Sequence, residues 1–60
     1  MTAGSYNNQG VLEATREHYD EALKWFRLAL DIRERHLGRE HPSTRATREN
    51  IDRVEDAMRR

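Results

Sequence analysis

Tyr19-Asp20-Glu21-Ala22-Leu23-Lys24-Trp25-Phe26-Arg27-Leu28-Ala29-Leu30 and, seven residues further on, Leu37-Gly38-Arg39-Glu40-His41-Pro42 carry the architecture of this chain. The first stretch opens a helix and the second closes it. At 100° per residue, Asp20, Lys24, Arg27, Asp31, Glu34 and Arg35 share an arc of about 100°. Asp20/Lys24, Arg27/Asp31 and Asp31/Arg35 are i,i+4 pairs of opposite charge, so this arc is a solvated face. The remaining arc, roughly 220° wide, is largely apolar. Tyr19, Leu23, Phe26, Leu30 and Leu37 form one stripe, and Trp25, Leu28 and Ile32 another, with Ala22 and Ala29 between them. One neighbouring helix covers a stripe of about 100°, so this helix calls for two neighbours.

Gly38 suits the backbone just past a helix end, where positive φ is needed. Pro42 suits the first turn of a following helix, where no N–H is required. The spacing therefore predicts helices over 19–37 and 42–58. In the latter, Thr47, Ile51, Val54 and Met58 step by 4, 3 and 4 along one face. Arg45/Glu49, Arg48/Asp52 and Asp56/Arg60 add i,i+4 support. A third, more polar helix is expected over 5–16, with residues 1–4 disordered. Gly10 lies inside it at a cost of about 1 kcal/mol relative to Ala, which points to close approach of another backbone. Residues 11–37 contain neither Gly nor Pro. Arg16-Glu17-His18 is therefore either a hairpin turn or part of one continuous helix about 40 Å long, able to exchange between two copies.

Composition narrows the function classes. The chain has 60 residues, 11 basic and 11 acidic, for zero net charge, and no cysteine. Disulfides, thiolate metal sites and thiol nucleophiles are excluded. No bulk field draws the chain to nucleic acid or an anionic membrane, although Arg45, Arg48, Arg53, Arg59 and Arg60 crowd the last helix beside Glu49, Asp52, Glu55 and Asp56. No apolar run spans a bilayer and the polar start is unlike a signal peptide, so a cytoplasmic location is expected. His18, His36 and His41 lack metal-ligand spacing, and no nucleophile–base or paired-carboxylate set is evident. The expectation is no catalytic residue, no metal and no cofactor.

Tyr6-x2-Gln9-Gly10-x2-Glu13 followed by Ala22-x3-Phe26 and Ala29-Leu30 follows the pattern of a repeat. With Asn7-Asn8 and the Leu37-Gly38-x-x-His41-Pro42 corner, the chain resembles a tetratricopeptide repeat of the kinesin light chain type. A shift of 42 residues, near the period of that subtype, aligns Ser5 with Thr47, Asn8 with Asn50, Leu12 with Val54 and Glu13 with Glu55. The resemblance implies an all-α fold: a helical hairpin plus a third helix that begins a second repeat. Gln9, Glu13 and Glu17 depart from the leucine, tyrosine and turn glycine that the pattern favours, and Asp52 from the small residue that packs in a first helix.

Two interaction surfaces are expected. The resemblance implies a concave groove for a peptide, which Asn7, Asn8, Val11, Thr15, Glu49, Asn50 and Arg53 would face. Amides suit it because each offers a donor and an acceptor. The periodicity points instead to Trp25, Leu28 and Ile32, an apolar set in which Trp is of the type enriched at contact centres. A chain this small and polar, with neither disulfide nor metal to staple it, gains from self-association. The favoured function is thus a non-catalytic protein–protein interaction module forming a homodimer through that set. The alternative is a piece of a longer array that binds peptides or proteins in its groove.

Overall fold

A computed structural model describes residues 2–60 as three helices, α1 (Ala3–Thr15), α2 (Tyr19–Leu37) and α3 (Pro42–Arg59). Helix α1 starts earlier than its apolar pattern suggests. The Thr2 side chain caps it, accepting a hydrogen bond from the Ser5 N–H at 3.2 Å. Ala3 and Gly4, expected to be disordered, are helical for this reason; Met1 lies outside the described residues. Helix α3 begins at Pro42, and His41 is its cap: His41 Nδ1 accepts from the Ser43 N–H at 3.1 Å. The His-Pro pair thus sets a helix start twice over, by a side-chain acceptor and by a residue that needs no acceptor. Gly38, at φ 87° and ψ 162°, lies in a region essentially reserved for glycine.

The chain turns at Arg16–His18, so α1 and α2 form a hairpin rather than one long helix. The Glu17 N–H donates to Ala14 O at 3.0 Å and the His18 N–H to Glu13 O at 2.9 Å. These two bonds form a Schellman motif, whose left-handed position is filled by Glu17 at φ 65°. An apolar contact often closes such a motif. Here Glu13 Oε2 meets His18 Nδ1 at 3.0 Å instead. Glycine adopts the left-handed region without the steric cost that Glu17 bears. Glu17→Gly is expected to raise stability by about 0.5–1 kcal/mol, or several degrees in a thermal melt of a chain this size. A lower melting temperature would contradict the left-handed turn.

Helix α2 lies between the other two and packs on both, whereas α1 and α3 barely meet. The two neighbours that its wide apolar arc needs are supplied by the chain itself. Ala22, Leu23, Phe26, Ala29 and Val54 are buried, with Ala14, Tyr19 and Ile51 packed at the edge. Phe26, at 2% exposure, is the largest fully enclosed apolar side chain. Its ring rests on Gly10, where an added Cβ would come within 2.6 Å of Phe26 Cε1. The close approach that Gly10 permits is therefore to an aromatic ring, not to a backbone. Gly10→Ala recovers about 1 kcal/mol of helix propensity. It also forces a buried ring aside, at a typical overpacking cost of 1–3 kcal/mol. The clash prevails because the added methyl would meet Phe26 along one edge of the ring, back to Cγ at 3.0 Å, so that turning the tip of the side chain does not relieve it; a net loss of about 1–2 kcal/mol in chemical denaturation is expected.

Helix α3 joins α2 through polar as well as apolar contacts. Arg33 Nη1 donates to Thr47 Oγ1 at 2.7 Å and to Ser43 O at 3.1 Å. Thr44 and Thr47 are fully buried there. Arg27, assigned by periodicity to a pair with Asp31, reaches across to Glu55 at 3.8 Å, and Asp31 pairs with Arg35 at 3.2 Å.

Candidate functional site

Two surfaces of the packed helices hold residues expected to make contacts. The first lies on α2. Arg27 and Arg33 turn toward α3, as their partners Glu55, Ser43 and Thr47 show. On the other flank Trp25 stacks on Tyr6 of α1, with ring centroids 5.7 Å apart and planes inclined by 23°. Lys24 Nζ lies 5.9 Å from the Trp25 ring centroid. At 100° per residue, Trp25, Leu28 and Ile32 occupy the sector pointing away from α3. Trp25 and Ile32 are half-buried, and Leu28 is exposed at 41%. The structure thus places these three residues on one outward strip, partly sheltered by Tyr6.

The second surface is an open groove of about 330 Å³ between α1 and α3, lined by Val11, Ala14, Thr15, Phe26, Asn50, Arg53 and Val54. Of the residues expected there, Val11, Thr15, Asn50 and Arg53 line it. Asn7 stands beside it, its Oδ1 accepting from Asn50 Nδ2 at 3.3 Å, a bond that ties α1 to α3. Asn8 and Glu49 are exposed and outside the lining. Ala14, Phe26 and Val54 form a floor that sequence reasoning did not assign. All three carry the core pattern, and only the splay of α1 from α3 leaves their edges accessible. The Asn7–Asn50 bond uses one oxygen and one N–H, and the Asn7 Nδ2 and Asn50 Oδ1 atoms lie outside it.

Neither surface concentrates chemistry. Glu13 contacts His18, His41 caps α3, and His36 is exposed. Among the described residues, no three His, Asp or Glu side chains converge as a metal ion requires. Among the described residues, no helix is long and apolar enough to cross a membrane.

The outer face of α3 differs from both surfaces. Arg48, Asp52 and Asp56 stand on it at i,i+4 spacing, and Asp52 occupies the position that Gly10 holds in α1 when the sequence is shifted by 42 residues. Asp52 is exposed, and no helix packs on it. A helix hairpin followed by a first-type helix with a 42-residue offset is one repeat and the start of another. A family model for the tetratricopeptide repeat matches residues 2–43, covering α1, α2 and the corner. The chain belongs to the tetratricopeptide repeat family. Its subtype is that of the kinesin light chain repeats. No curated protein and no solved structure shows significant similarity to it. Tetratricopeptide repeats are protein–protein interaction modules and are typically non-catalytic. Of the departures from the family pattern, only that at Glu13 has a local partner, and those at Glu17 and Gln9 have no structural explanation. Glu17 fills the left-handed turn position, Glu13 meets His18, and Gln9 is half-buried.

Proposed function

We propose that this tetratricopeptide repeat chain is an interaction module that self-associates, with Trp25, Leu28 and Ile32 at the contact. The observation that carries the reading is the apolar strip on α2, which stays half-exposed after α1 and α3 have covered Ala22, Leu23, Phe26 and Ala29 of the same helix. Exposed apolar strips rimmed by charge mark interaction sites, and Trp at the centre of one is a common energetic focus. The small core argues the same way. A chain below about 70 residues rarely draws more than 3–5 kcal/mol from a single core, and oligomerisation is one of the few available supplements. Light scattering over a hundredfold concentration range tests the proposal. A mass of twice 7.1 kDa at the upper end is expected. A monomer throughout ends the reading.

A second reading rests on the groove and on the Asn7–Asn50 bond at its edge. As part of a longer array, the groove between α1 and α3 would bind an extended peptide through amide side chains. Within 60 residues the groove is a single depression, and repeat-protein recognition depends on stacking several such units.

A further inference from the structure

We infer that two copies pair through an antiparallel α2–α2 seam made of Glu21, Trp25, Leu28, Ile32 and Arg35, and that the charges at its ends fix this direction. The inference rests on the self-association proposed above and adds its geometry. Positions 21, 25, 28, 32 and 35 step by 4, 3, 4 and 3, the spacing of a helix–helix seam, with apolar residues in the middle and one charge at each end. All five lie on the α2 sector facing away from α3. Glu21 and Arg35 are exposed, and the contact Arg35 makes, with Asp31 at 3.2 Å, is a solvent-exposed i,i+4 pair of small worth.

Charge complementarity selects the direction. A two-fold axis near Leu28 with the helices antiparallel sets Glu21 of one copy opposite Arg35 of the other, and Trp25 opposite Ile32. It also brings Lys24, which flanks the seam, to Asp31 of the second copy, on the flank where antiparallel helices meet like position to like. Every charged pair is then of opposite sign. A parallel arrangement sets Glu21 against Glu21 and Arg35 against Arg35, which is repulsive at both ends. The two-fold contact is closed, since each copy uses the same strip. The outer face of α3, with Arg48, Asp52 and Asp56, offers no second apolar strip on which the assembly would grow.

Charge reversal at the two ends tests the seam in the full chain. Glu21→Arg sets Arg against Arg at both ends of the dimer, and Arg35→Glu sets Glu against Glu. Each single variant is expected to raise the dimer dissociation constant about tenfold or more, measured by sedimentation equilibrium. The double variant Glu21→Arg/Arg35→Glu is expected to return it to within about threefold of wild type. An equimolar mixture of the two single variants should form a heterodimer. A purely structural role predicts the opposite order. Glu21 lies in the first turn of α2 and Arg35 in the last, so both reversals oppose the helix dipole and the double variant would be the weakest helix of the three. A wild-type dimer that the double variant fails to restore overturns the antiparallel seam while leaving self-association standing. A wild-type chain that is monomeric throughout overturns both.

Discussion

Phe26→Ala is expected to unfold the chain at room temperature. Phe26 is 2% exposed and, among the described residues, is the only large apolar side chain enclosed to that degree, seated on Gly10 and surrounded by Ala22, Leu23 and Val54. Removing a buried phenylalanine typically costs 3–5 kcal/mol, part lost transfer energy and part cavity. At about 0.05–0.15 kcal/mol per residue, a 60-residue fold holds only about 3–9 kcal/mol in total. The cost is comparable to the whole stability. Nor does the site collapse easily, because Gly10 and Ala22 present backbone and a methyl group that cannot extend into the void. Far-UV circular dichroism at 25 °C should lose most of its helical signal. A cooperative melt within a few degrees of wild type would show that Phe26 is not the keystone of the core. Phe26→Leu, which keeps most of the volume, is expected to stay folded with a lowered melting temperature.

Trp25→Asp should have the largest effect on association. In the isolated chain Trp25 is half-buried and stacked on Tyr6, a contact worth about 0.5–1.5 kcal/mol beyond its area. In the proposed dimer it also meets Ile32 of the second copy, and a carboxylate there would be desolvated beside apolar groups. Central tryptophans commonly contribute 2 kcal/mol or more to an interface, so a dissociation constant at least thirtyfold higher is expected. The two roles separate by concentration. Loss of the Tyr6 stack lowers the melting temperature equally at all concentrations. Loss of the interface abolishes the rise of melting temperature with concentration that a folding-linked dimer must show. Melts of wild type and variant across a hundredfold range, with light scattering on the same samples, distinguish them. A wild-type dimer indifferent to Trp25→Asp would move the contact off α2.

How far the sequence discloses such a molecule depends on the range of the forces concerned. The bounds of α2 are legible because its signals are local: Asp20 and Glu21 in the first turn, Gly38 at the end, and Pro42 at the next start. The His-Pro corner is legible for the same reason. The hairpin turn is not, since Glu17 has no intrinsic preference for positive φ. It is held there by two backbone bonds and by the packing of α1 against α2. The groove is half legible. Val11, Thr15, Asn50 and Arg53 follow from repeat position, but Ala14, Phe26 and Val54 read only as core until the splay of two helices exposes them.

The sequence by itself determined three helices, the Gly38 stop and Pro42 start between the last two, the 42-residue offset and the width of the apolar arc on α2. Each follows from interactions spanning a turn or two of backbone, whereas the Thr2 and His41 caps appear only in the structure. Tertiary structure alone decided what covers that arc. The wheel position of Phe26 is visible in the sequence, but its neighbour Gly10 lies sixteen residues away across a turn of ambiguous chemistry. Arg33 falls outside the solvated arc of α2 and has no assigned role in the sequence until α3 brings Ser43 O and Thr47 Oγ1 within its reach. Helical periodicity specifies how much surface must be buried, whereas the partner on that surface depends on distances that only packing sets, and here α1 and α3 leave the strip of Trp25, Leu28 and Ile32 over.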